Sequence, residues 1–151
     1  MKLDVENIKK LRGETGAGVM EVKEALENAG GNYDKAKSIL MGKVSAKAAN
    51  KADRPAKEGL VHAYIHSNGK VGSLVLVGCE TDFVARTDDF KKLCHEVAMQ
   101  VCTEDYASVE DLMKSEYIRG SSKKISDLVE ELTAKVGEKI EIKKFVRFSF
   151  N

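Results

Sequence analysis

The residues best equipped for chemistry are few: His62 and His66, Cys79, Cys94 and Cys102, and the glycine-rich segment RGETGAG at residues 12–18. Two histidines four apart suggest a metal pair, but on a strand rising about 3.3 Å per residue they lie roughly 13 Å apart and cannot share one ion. The glycine-rich segment looks superficially like a phosphate cradle. It follows a helical apolar pattern rather than a strand, however, and matches neither the dinucleotide fingerprint nor the P-loop; it reads as a turn between helices. Cys94 falls on an apolar stripe as a small core residue, with Cys102 near its edge. Cys79 ends a strand with no histidine near it in sequence, so nothing local activates the thiol. A Cys79 nucleophile working with Glu80 or Asp82 is the remote enzymatic alternative. The serines lack a nucleophile elbow. No catalytic residue, metal site or cofactor is assigned, and the expectation is a protein that acts by binding rather than an enzyme.

Composition narrows the partners. Lys and Arg total 25 against 24 Asp and Glu, and a net charge of +1 supplies no global field to gather phosphate backbones. Direct nucleic-acid binding is therefore not expected. Three cysteines with no paired spacing suit a reducing compartment, and the cytoplasm is the natural assignment. The amino terminus MKLDVENIKKLRG lacks the apolar core of a signal peptide, and no stretch approaches the roughly 18 consecutive apolar residues of a membrane span. No membrane partner is expected. The 151 residues bound the chain to one ordinary domain, or one domain with a small appendage.

The elements that must position any site begin with three short helices. Asp4 caps the first, Val5 to about Thr15, in which Val5, Ile8 and Leu11 recur at helical spacing. The second runs from Val19 to about Ala29, with Val22, Ala25, Leu26 and Ala29 as its stripe and Gly30–Gly31 as its stop. Tyr33, Ala36 and Leu40 mark a third. Helices this short are marginal alone, so they must share a small core, giving a three-helix domain over 1–41. Residues 42–58, rich in alanine and lysine and holding the only proline, read as a linker, with a partly helical stretch before the proline left open. Lysines 43, 47 and 51 form a basic stripe only if it is helical; otherwise they are a solvated tether.

The second domain, 59–151, opens as a hairpin about Asn68–Gly69. A helix from Thr87 or Asp88 to about Cys102 follows, its face formed by Phe90, Leu93, Cys94, Val97, Ala98 and Val101. Ser108 and Asp111 start a brief helix, and a longer one carries Ile125, Leu128, Val129, Leu132 and Val136 before Gly137. An alternating strand, KIEIKKFVRFSF, closes the chain. The expected class is α+β: a three-helix domain, a linker, then a small, mostly antiparallel three-stranded sheet packed with helices. The strand over 71–79 is apolar on both faces, Val75 and Val77 on one and Leu74 and Leu76 on the other. The last strand sets Ile142, Val146, Phe148 and Phe150 against Phe145. Both faces want cover, and helices of a short domain cover one; a homodimer through the other is expected.

Two apolar residues stand off their expected faces. Met20 lies about 160° from the stripe centred on Val22 and so faces solvent. A single exposed methionine needs no explanation, and a flexible thioether beside a turn is also good interface material. Phe83, in CETDFVAR, is equally compatible with a lid folded over its own sheet edge and with an aromatic offered outward.

Three separated segments carry a family resemblance. IKKLRGETGAGVMEVKEAL (residues 8–26) and CETDFVART (79–87) resemble the two signatures of elongation factor Ts, and AKVGEKIEIKKFVRFSF (134–150) is similar to that family's strand after its last core helix. The resemblance implies a guanine nucleotide exchange factor that binds elongation factor Tu, GDP-bound and nucleotide-free, and promotes GDP release in translation elongation. It implies a ubiquitin-associated-like fold for the three helices. It places Thr81, Asp82, Phe83 and Val84 at the segment that dislodges magnesium from the partner's nucleotide site, and Arg12, Val19 and Met20 against the partner's GTPase domain. Longer members continue beyond FVRF into a second core subdomain. The resemblance therefore implies a short, single-core form working as a homodimer whose second copy supplies the missing contacts. A non-exchange adaptor that grips a peptide or helix with the three-helix domain is the alternative.

Overall fold

The computed structural model describes residues 2–120 and 122–150. Among them are seven helices and a three-stranded antiparallel sheet, an α+β architecture. The chain divides into two compact units, residues 1–53 with 130–137 and residues 54–129 with 138–151.

In the first unit, α1 (Val5–Thr15) starts at Asp4, whose carboxylate accepts from the Glu6 amide, and ends at Gly16 in the left-handed region, φ 73°. Helix α2 (Val19–Asn28) starts at Gly18, whose amide donates to the Glu21 carboxylate at 3.1 Å. Ile8, Leu11, Val22, Ala25, Leu26, Ala36 and Leu40 form the buried cluster, with Ala17 from the turn itself. Val5, expected on that stripe, is exposed, and Leu3 packs against the cluster instead.

Helix α3 (Tyr33–Asn50) takes up the first half of the segment read as a linker. Capped by the Asn32 side chain, it continues through residues 42–50. Alanine and lysine are strong helix formers, and two lysines find partners on α2: Lys47 with Glu21, and Lys43 with Glu24 at 3.8 Å. The basic stripe is therefore helical and ion-paired at these two positions. Lys47 and the Gly18 amide hold the Glu21 carboxyl below its usual range.

In the second unit the sheet has order β1-β2-β3, formed by β1 (Glu58–Ile65), β2 (Val71–Cys79) and β3 (Glu141–Ser149). The β1–β2 loop is closed by the His66 amide donating to the Val71 carbonyl, and Gly69 takes φ 72°. Helix α4 (Asp82–Ala85) occupies what reads in sequence as the loop after β2, and α5 (Asp88–Val101) follows at once, with Thr87 as its cap. The expected stripe of α5 is buried throughout, and Ser73 Oγ donates to the Ala98 carbonyl at 2.6 Å, joining β2 to α5. Helix α6 (Val109–Lys114) starts at Ser108, whose hydroxyl accepts from the Asp111 amide at 3.1 Å. Helix α7 (Ile125–Val136) begins in this unit, its residues from 130 on belong to the first, and it stops before Gly137, φ 72°.

One sheet face is dry and the other open. Ser73, Val75, Val77, Cys79 and Ile142 lie on the buried side, while Val61, Ile65, Leu74, Val146 and Phe148 lie on the other and are exposed. Ile142 is thus not on the face of Val146 and Phe148. The pairing passes from Leu76↔Lys144 to Val77↔Ile142, so Lys143 is an extra residue, and this bulge reverses the alternation across it.

Candidate functional site

No reactive constellation emerges among the described residues. No group of three or more His, Cys, Asp or Glu gathers to hold a metal there. The cysteines are reduced and buried. Burial, reinforced by the Glu138 carboxylate, pushes the Cys79 thiol up to about 11; burial pushes Cys94 up to about 12. Neither is a thiolate near neutral pH. His62 and His66 do not meet. His66 contacts the Tyr64 hydroxyl at 3.2 Å, and His62 Nε2 lies 3.3 Å from His95 Nδ1 of α5. Periodicity missed that histidine pair, since nothing in the spacing of residues 62 and 95 brings a strand and a helix into register. Burial, with His95 adding to it, lowers the His62 pKa.

The turn after β2 is different. Strand β2 ends at buried Cys79, whose thiol donates to the Thr81 carbonyl at 3.1 Å. Thr81 has extended backbone, φ −127° and ψ 155°, and caps α4 by accepting from the Val84 amide. At the other end Thr87 donates to the Val84 carbonyl at 2.7 Å and accepts from the Phe90 amide at 3.2 Å, so one hydroxyl closes α4 and opens α5. Val84 and Ala85 turn into the core, Val84 being 8% exposed. Phe83 projects outward and is 76% exposed.

Of the two readings of Phe83, the lid over its own sheet is therefore eliminated. The Asp82 carboxylate takes an Arg86 N–H at 2.7 Å, and the Arg86 guanidinium lies 5.6 Å from the Phe83 ring centre. Both charges are well exposed, so this pair contributes little to stability and serves chiefly to order the surface.

The structure thus brings Thr81, Asp82, Phe83 and Val84 into one braced turn, but with unlike orientations. Val84 was expected as a contact residue. Its side chain is packed inward beside Ala85, leaving its backbone, not its side chain, to shape the surface. Sequence reasoning missed the braces. The Glu80 and Thr81 amides donate to Glu138 Oε1 at 3.1 and 3.0 Å, and the Thr81 hydroxyl donates to Oε2 at 2.8 Å. Glu80 in turn accepts the Lys139 amide at 2.7 Å and lies 3.5 Å from Arg54.

The other expected residues flank the α1–α2 turn. Arg12, in the last turn of α1, is exposed, and its carbonyl receives the Gly16 amide at 2.9 Å. Val19 and Met20 open α2, and Met20 is 74% exposed, as its helical angle requires. The turn is stiff: Thr15 donates to the Leu11 carbonyl at 2.6 Å and accepts from the Ala17 amide at 3.2 Å. An adaptable thioether stands on a fixed base.

A family model described as Elongation factor TS matches residues 80–151. The sequence is 40% identical over 194 residues to elongation factor Ts of Coprothermobacter proteolyticus, covering 99% of this chain and 98% of that one. It is 37% identical over 194 residues to elongation factor Ts of Petrotoga mobilis, with the same coverage. A third relative, elongation factor Ts of Clostridium acetobutylicum, is 44% identical over 142 residues, 94% of this chain and 46% of that one.

Proposed function

The chain belongs to the elongation factor Ts family of translation elongation factors, and from that membership we propose that it is a guanine nucleotide exchange factor for elongation factor Tu. The observation that carries this reading is Phe83, a large aromatic held 76% exposed on a turn braced at both ends. A lone exposed apolar side chain needs no explanation by itself; what supports a binding role is its place on a braced turn within the CETDFVART segment that resembles the family signature. Its use lies in a partner.

The mechanism is linkage rather than bond chemistry. A protein that binds the nucleotide-free GTPase more tightly than the GDP-bound one must, by reciprocity, weaken GDP by the same factor. In this reading Phe83 enters the partner beside its magnesium site, and Asp82 redirects hydrogen bonds around the metal. Burying Phe83 contributes about 1.5–3 kcal/mol, or roughly one to two powers of ten in rate. That leaves the rest of a large effect to a wider contact, to which Arg12, Val19 and Met20 are assigned. Val84 contributes by seating the turn. Exchange takes place in the cytoplasm and needs no cofactor of this chain's own.

The open sheet face is assigned to a second copy. Val61, Ile65, Leu74, Val146, Phe148 and Phe150 are all exposed large apolar residues, the signature of an interface. A self-complementary sheet face suits a twofold sandwich.

Stopped-flow release of a fluorescent GDP from purified elongation factor Tu tests the reading. The chain should accelerate release and Phe83→Ala should lose most of that acceleration; release unaffected by the wild-type chain overturns it.

A further inference from the structure

We infer that Glu138 is a positioning residue for exchange: its carboxylate holds the turn that presents Asp82 and Phe83. This rests on the exchange function proposed above and adds to it a residue outside the turn. Helix α4 has only four residues, too few to hold its own conformation in water. Nor does Phe83 help to hold it, since an exposed ring secures no packing. Val84 and Ala85 seat the turn from below; the direction of its outer side is left to hydrogen bonds, and three of those end on one side chain.

The Glu80 amide, the Thr81 amide and the Thr81 hydroxyl all donate to Glu138, at 3.1, 3.0 and 2.8 Å. Hydrogen bonds to an ionised acceptor are the strong kind, and this one spans both carboxylate oxygens, so it fixes direction as well as distance. The Thr81 hydroxyl that donates to Glu138 also accepts from the Val84 amide at 3.4 Å, so Glu138 orients the cap of α4 itself.

The brace is reciprocal. Glu80 sends its carboxylate back to the Lys139 amide at 2.7 Å, so segments 80–81 and 138–139 each hold the other's backbone by a glutamate side chain. Arg54, 3.5 Å from Glu80, offsets part of the charge gathered by two carboxylates. Glu138 itself follows Gly137, whose φ of 72° reverses the chain between α7 and β3. The carboxylate is therefore set by a turn that substitution of the glycine would strain.

Glu138→Ala tests this in two measurements. The first is amide hydrogen exchange at Glu80 and Thr81: both should exchange at least tenfold faster than in the wild type, with Val75 and Val77 of β2 still protected. The second is GDP release from elongation factor Tu. The rate at saturating variant should fall about tenfold, with the half-saturating concentration changing less than threefold. Glu138→Gln, whose amide oxygen can still take both backbone donors, should recover at least half of the rate. The double variant Phe83→Ala/Glu138→Ala should be no slower than Phe83→Ala alone, as expected when one residue acts through the other. If the alanine variant does not fold, Glu138→Asp, with its carboxylate drawn back by one methylene, should still slow release at least threefold. A wild-type rate in Glu138→Ala, or in Glu138→Asp, beside a slow Phe83→Ala overturns the role of Glu138 and leaves the exchange reading standing. A wild-type rate in Phe83→Ala overturns the roles of Phe83 and Glu138 alike, while release unaffected by the wild-type chain overturns the exchange reading itself.

Discussion

Phe83, in the turn after β2, is 76% exposed, and Phe148, in β3, is 73% exposed, but the two rings have unlike neighbours. Around Phe83 lie Asp82, Arg86 and a threonine cap at either end, and the residues next to it, Val84 and Ala85, turn inward. Phe148 sits opposite Gly72 on a face shared with Leu74, Val146, Ile65 and Val61. One is an isolated apolar projection in a charged, rigid setting; the other is part of a continuous apolar sheet. Exposure alone does not distinguish them. A lone ring on a braced turn suits insertion into a concave partner, whereas a broad flat face suits another flat face.

Phe148→Asp makes the sharpest test of that contrast. Introducing a charge into the open face should convert a sedimenting species of two chains to one, while Phe83→Ala leaves the sedimentation coefficient unchanged. A wild-type protein that sediments as a single chain at micromolar concentration breaks the comparison, because Phe148 then has no partner. Next in size is exchange: Phe83→Ala should slow GDP release from elongation factor Tu by roughly one to two powers of ten, with thermal unfolding unchanged. Unaltered release in this variant would place Phe83 among ordinary exposed residues.

A smaller effect separates Phe83 from its neighbour. Val84→Ala should cost about 1.5 kcal/mol of folding stability in urea titration, since it removes two buried methyl groups, whereas Phe83→Ala should cost close to nothing. Thr87→Ala, which removes the hydroxyl joining α4 to α5, should cost about 1 kcal/mol. The smallest effect concerns the rest of the sheet unit, where His62 is held below its ordinary value by burial and His95. The unfolded chain then takes up a proton more readily, so stability should decline as pH falls below about 6.5 and through the folded value. His62→Gln should flatten that part of the pH profile, and a profile identical to the wild type's would remove His62 as its source.

The helices were legible in sequence wherever one face is apolar and the caps are ordinary. The stripe of α5, the Ser108 cap of α6 and the stop at Gly137 need only local rules. The outward angle of Met20 follows from the same periodicity. Other features depend on contacts that no local window contains. Helix α3 runs on past Leu40, where Val44 stays buried in line with Ala36 and Leu40 and where Lys43 and Lys47 meet glutamates of another helix. The direction of Phe83 is undecided locally, because its turn is hydrogen-bonded to Glu138, 57 residues beyond Thr81. Val84 is equally opaque: in TDFV two adjacent apolar residues compete for the core, and only the capped geometry of α4 decides which one enters it.

Lys143, the extra residue of β3, bears on how this strand tolerates changes in length. Because it is unmatched in the ladder, losing its codon would leave Ile142 opposite Val77 and Lys144 opposite Leu76, with each side chain still on its present face. Losing Phe145, Val146 or Arg147 instead would leave the ladder to be closed by a one-residue slip, turning the remainder of the strand inside out. A gene carrying single-codon deletions along 143–148 should therefore yield folded protein when the codon lost is that of the bulge and aggregates when it lies a few codons later.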